Sequence, residues 1–128
     1  MKSNNEILNE FGNILIENVY DSQLRFIMNS IIDLSQTEDY LNLFKGMNEI
    51  QKKEIEKYTK EILSGALFDF LKVLEENDGY KLVYGNTCDN QLDLNKISEN
   101  LKAEPIIENG WIDRFSKYAD VKNNKNEK

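Results

Sequence analysis

The sequence predicts a mainly α fold: a helical bundle around a long central helix, with a small β-hairpin and a short C-terminal helix. Three observations carry this. Apolar residues recur at three- and four-residue spacing through most of the chain. One proline and six glycines are too few breakers to fragment long helices. Aromatic and branched residues that favour extended backbone gather in one short stretch, 80–84. A chain of 128 residues that is 40% hydrophobic can build one core, so residues 1–121 read as a single helical domain. The Asn/Lys-rich residues 122–128 read as a disordered polar tail.

Ile7, Leu8, Phe11, Ile14, Leu15 and Val19 mark a first helix from Asn4 onward, with Ser3 or Asn4 as its cap. The pattern resumes with Leu24, Ile27, Met28, Ile31, Ile32 and Leu34. Asp21 can cap a second helix there, and an unbroken helix over 4–34 is the alternative. Ser35-Gln36-Thr37-Glu38 has the spacing of a capping box before a short helix with Tyr40, Leu41 and Phe44 that stops at Gly46.

Asn48 opens the longest helix, which reaches about Glu76. Its first half is charged, with Glu49/Lys53, Glu56/Lys60 and Lys57/Glu61 one turn apart. Its second half is apolar over a wide arc: Ile62, Leu63, Ala66, Leu67, Phe70, Leu71 and Leu74. Such an arc predicts packing on more than one side. Gly12 and Gly65 each cost about 1 kcal/mol relative to alanine in a helix, which suggests that the first helix crosses the long one at these two positions.

Asn77-Asp78-Gly79 is a turn, and Tyr80-Lys81-Leu82-Val83-Tyr84 a strand that Gly85-Asn86 turns toward a second strand near Gln91 to Leu94. Lys96 to Ile107 holds the only proline, Pro105, and reads as irregular with a short helical turn. Asn109 caps a last helix with Trp111, Ile112, Phe115, Tyr118 and Ala119 on one side.

The net charge of −7 disfavours nucleic acid and membrane surfaces and favours a basic protein surface as partner. Without histidine, serine–histidine and cysteine–histidine catalysis and histidine zinc sites are impossible. One cysteine, Cys88 in a polar loop, permits no internal disulfide and lacks a nearby cation to activate it. No signal core or membrane-length apolar run is present, so a reducing cytoplasm is expected. Abundant Asn, Lys and Ile with only two arginines fit a low-GC bacterium. No catalytic, metal or cofactor residues are assigned. Asp89, Asp93 and Asn95 are fragments of a calcium loop without its glycine and glutamate.

Asp69 interrupts the most apolar stretch of the chain, so it needs either a partner, with Arg25 or Arg114 as the candidates, or the surface. Phe68 lies on an otherwise polar stripe with Ser64 and Lys72; either the C-terminal segment covers it or a partner does. Trp111 is a core anchor or, alternatively, an interface hot spot.

Leu67-Phe68-Asp69-Phe70-Leu71, Leu74-Glu75-Glu76, Leu101, Glu104, Glu108-Asn109-Gly110-Trp111-Ile112 and Phe115-Ser116-Lys117-Tyr118 resemble a pattern in small uncharacterised bacterial proteins. Some of those are similar to immunity proteins of polymorphic toxin systems. The resemblance covers the chain from the long helix onward. It implies a cytosolic protein with a protein partner, and it brings no catalytic residues to carry over.

The leading expectation is therefore a non-enzymatic protein-binding protein, an immunity protein masking a basic toxin, with Phe68, Asp69, Glu104, Glu108 and Trp111 toward the partner. One alternative is a small carboxylate- or metal-dependent enzyme pairing Asp69 with Glu104 or Glu108. The other is a homodimeric structural or regulatory protein.

Overall fold

A computed structural model describes residues 2–85 and 90–120. The first expectation resolves toward continuity: α1 (Asn4–Leu15) and α2 (Asp21–Leu34) are joined by a π turn, Ile16–Tyr20, without leaving helical backbone. Ser3 caps α1 in a reciprocal capping box with Glu6. Asp21 is not a cap. Its amide bonds the Ile16 carbonyl five residues back, the wider turn of a π segment. The extra residue rotates the apolar face, so that Ile16, Tyr20, Asp21 and Leu24 all turn inward.

The expected capping box at Ser35 does not form. Ser35 keeps helical angles and its hydroxyl donates to the Ile32 carbonyl, so Thr37 precedes a 3-10 turn, Glu38–Tyr40, that leads into α3 (Leu41–Phe44). The chain reverses at Gly46, and Asn48 caps α4 (Glu49–Glu76) in a capping box with Gln51. At 28 residues α4 is about 42 Å long. Of its expected ion pairs Glu56–Lys60 forms at 3.5 Å, and Glu49 meets Lys52 rather than Lys53.

The hairpin is present but shorter than expected. Among the described residues β1 (Val83–Tyr84) and β2 (Leu92–Asp93) pair, antiparallel, with Val83 opposite Asp93 and Tyr84 opposite Leu92. Tyr80 remains in the turn, its amide donating to the Asn77 carbonyl. A short α5 (Leu94–Ile97), a 3-10 turn (Leu101–Ala103) and α6 (Trp111–Phe115) follow. The cap of α6 is Gly110, not Asn109, which takes a left-handed φ of 61°. A side chain at Gly110 would strike the Glu104 and Ile107 carbonyls. Tyr118 and Ala119 lie beyond the helix.

α2 packs directly on α4, whereas α1 packs chiefly on α5 and α6, and α4 on the Leu101–Ala103 turn. The C-terminal segment is thus a wedge between the diverging ends of a long helical hairpin. Leu8, Ile16, Tyr20, Leu24, Leu67, Leu71, Leu94, Leu101 and Trp111 form the core around it. Wholly burying such side chains stabilises by about 1.5–3 kcal/mol each. Among the described residues no helix is long and apolar enough to cross a membrane.

Two packing expectations are corrected. Gly12 does receive a close neighbour, but that neighbour is the Trp111 indole rather than α4. Gly65 faces open space. Among the described residues the wide apolar arc of α4 is covered on one side: Leu67 and Leu71 are buried, while Ile62, Phe70 and Val73 remain exposed.

Candidate functional site

The five residues expected toward a partner do not converge. Trp111 is fully buried, which corrects the hot-spot alternative: its indole lies against Gly12, meets the Phe11 ring edge-on at 5.7 Å, and offers no surface. Its Nε1 is buried without an acceptor among the described residues. Glu104 is tied into the wedge, its carboxylate accepting the Ser98 hydroxyl at 2.6 Å and its carbonyl the Trp111 amide at 2.9 Å. Phe68 is half-buried, and Asp69 and Glu108 are exposed.

Asp69 reaches solvent and makes no ion pair among the described residues, so neither arginine is its partner. Arg114 donates to the Asn109 carbonyl at 2.8 Å and to Asn9 Oδ1 at 2.9 Å, and Arg25 is exposed. The buried carboxylate is instead Asp21. One oxygen accepts the Ser116 hydroxyl at 2.5 Å and the other the Lys117 amide at 2.9 Å. This clasp holds the end of α6 to the π turn. Its signal was in the sequence, since Asp21 shares the apolar face of Leu24 and Ile31, but a cap offered a local explanation.

The larger cleft, about 830 Å³, lies between α4 and the C-terminal segment. Tyr20 and Ser64 lie along it with Lys53, Lys57 and Lys60, facing Ile112, Asp113 and Asp120. Lys60 reaches Glu56 at 3.5 Å and Asp120 at 3.2 Å, so cations and carboxylates alternate along the opening. Burial raises the Tyr20 phenol to about 12 despite a hydrogen bond with Ser64, and the carboxylates of Asp120, Asp21 and Asp113 push the same way. The phenol stays protonated at neutral pH and is no base there.

A second cleft of about 480 Å³ is lined by Glu75, Asp93, Asn95 and Ser98. Burial works to raise the Glu75 carboxyl, but the side-chain and backbone hydrogen bonds from Lys102 and its charge together hold it below the usual range. Asp93 accepts the Asn95 amide at 3.0 Å. Among the described residues no group of three or more His, Cys, Asp or Glu is placed to hold a metal. Asp89 and Cys88 lie outside the described residues.

The third feature is apolar. Ile62, Ala66, Phe70 and Val73 follow one another at spacings of four, four and three along α4, and so share a face. Ile62 is 53% exposed, Phe70 58% and Val73 52%. Phe26 and Ile32 on α2, Leu43 on α3 and Ile50 on α4 are also uncovered.

No family model matches the chain, no curated protein is significantly similar to it, and no solved structure matches its fold.

Proposed function

We propose that this is a non-enzymatic protein-binding module of the bacterial cytosol, an immunity-type protein that masks a basic partner. One observation carries the reading: the uncovered row Ile62, Ala66, Phe70 and Val73 on a chain of net charge −7. Isolated apolar side chains on a surface are ordinary, but a contiguous row rimmed by charge marks a protein interface. The acidic surface adds steering toward a basic protein and away from phosphate backbones. Masking would be steric, with carboxylates standing where a nuclease would otherwise hold phosphates.

Photo-cross-linking residues at positions 26, 70 and 80, introduced one at a time in the source cells, test this. A single basic protein captured at one or more positions, and released from the uncross-linked complex by salt, is the expected result. The absence of any heteromeric adduct at all three positions would overturn it. Adducts between two copies would establish the homodimeric alternative instead.

A further inference from the structure

We infer that the Ile62–Val73 face of α4 is a docking site for one basic amphipathic helix of a partner protein. This rests on the protein-binding reading above and gives it a location and a ligand chemistry.

The shape comes first. Ile62 to Val73 spans about 16 Å of helix axis, three turns, which is the footprint of one amphipathic helix laid along another. In the middle of this face, between Ile62 and Phe70, sits the small side chain of Ala66, which is exposed. A low point between Ile62 and Phe70 lets a second helix backbone approach at the short end of the 8–10 Å interaxial range.

Charge then selects the occupant. Asp69 and Glu76 lie seven residues apart, in line with Ile62 along one edge of the row. Both are exposed, and neither makes an ion pair among the described residues. Lys72, further round the helix, pairs with neither. A helix with lysine or arginine flanking its apolar stripe would meet both carboxylates. A second copy of this chain would bring the same carboxylates and another −7 of charge, so like-charge repulsion opposes it.

The test uses three synthetic 18-residue peptides: a leucine/lysine amphipathic helix, its leucine/glutamate counterpart, and a scrambled leucine/lysine sequence without a stripe. The first should bind the full chain by fluorescence anisotropy and move amide signals of residues 62–76, while the other two should not. Ala66→Gln, which fills the low point, and the pair Asp69→Lys with Glu76→Lys should each weaken binding about tenfold or more. Circular dichroism should be unchanged, because these side chains are exposed. Equal binding of the scrambled peptide, shifts centred elsewhere, or undiminished affinity of the charge-reversed chain would overturn the site. A dimer in light scattering that Phe70→Ser abolishes would assign the face to a second copy and overturn it too. The two readings fail separately: cross-links to a protein from position 26 or 80 but never from 70 would remove this site and leave protein binding standing.

Discussion

A Cβ built on Gly12 would sit 2.6 Å from three carbons of the Trp111 indole, so the first helix and the C-terminal wedge touch with no room for a methyl group. Trp111 is fully buried and cannot retreat. Gly12→Ala should therefore destabilise by about 1–3 kcal/mol through overpacking, outweighing the gain in helix propensity. Gly65→Ala, exposed and unobstructed, should stabilise by about 0.5–1 kcal/mol. Urea midpoints of the two variants should move in opposite directions; a common sign would refute the packing assigned to Gly12.

Asp21 joins the π turn to the residues that follow α6, across 95 and 96 positions of sequence. Asp21→Ala leaves the Ser116 hydroxyl and the Lys117 amide without their acceptor. The expected loss is about 1.5–3 kcal/mol, the range for hydrogen bonds to a charged group. Amide exchange should accelerate at Lys117 more than at Leu71 on α4. Uniform acceleration would mean that Asp21 matters globally but does not clasp this segment.

Tyr20 gives the protein an alkaline limit. Its phenol is raised from 10.0 in the unfolded chain to about 12 in the fold, so the folded state keeps the proton longer. The corresponding stability is complete below pH 10 and falls as the pH rises toward 12. Tyr20→Phe should flatten that decline. Thermal melts across this range decide it: an unchanged alkaline slope in the variant would show that another group governs the limit.

Glu75 acts at the other end of the scale. With its folded-state value below the ordinary 4.5, it contributes stability that is present above 4.5 and lost as the pH falls through the folded value. The Lys102 ammonium lies 3.0 Å away, and the Lys102 amide donates to the other oxygen at 2.7 Å. Lys102→Met should leave the amide bond in place yet bring the Glu75 titration upward, readable from its side-chain carbon shift in NMR. No movement would mean that the amide alone sets the value.

Local signals in the sequence are legible where they have no competitor. Asn48 and Gln51 form a capping box that needs only four residues, so the start of α4 was legible, and Asn77-Asp78-Gly79 marked its end. The hairpin was legible in position but not in length, because pairing depends on the partner strand, and among the described residues two of each strand find one. Ser35 and Asp21 misled for one reason. Each offered a local cap, while the backbone stayed helical and the side chain found another acceptor or donor.

The candidate face was half legible. Asp69 stands out in the sequence because a carboxylate in an apolar run needs a partner or solvent, and solvent is where the structure places it. That Ile62, Phe70 and Val73 share its exposure could not be read, since apolar residues on all sides of a helix imply burial unless the neighbours run out.

By itself, then, the sequence determined the helical class, the extent of α4, the presence of a hairpin and the absence of histidine chemistry. Those follow from spacing and residue type over a few turns. Only the tertiary structure decided that the C-terminal segment wedges beneath α1, that Trp111 faces Gly12, and that one side of α4 stays uncovered. Those depend on which distant surfaces meet, and a single chain's periodicity carries no information about what stands opposite.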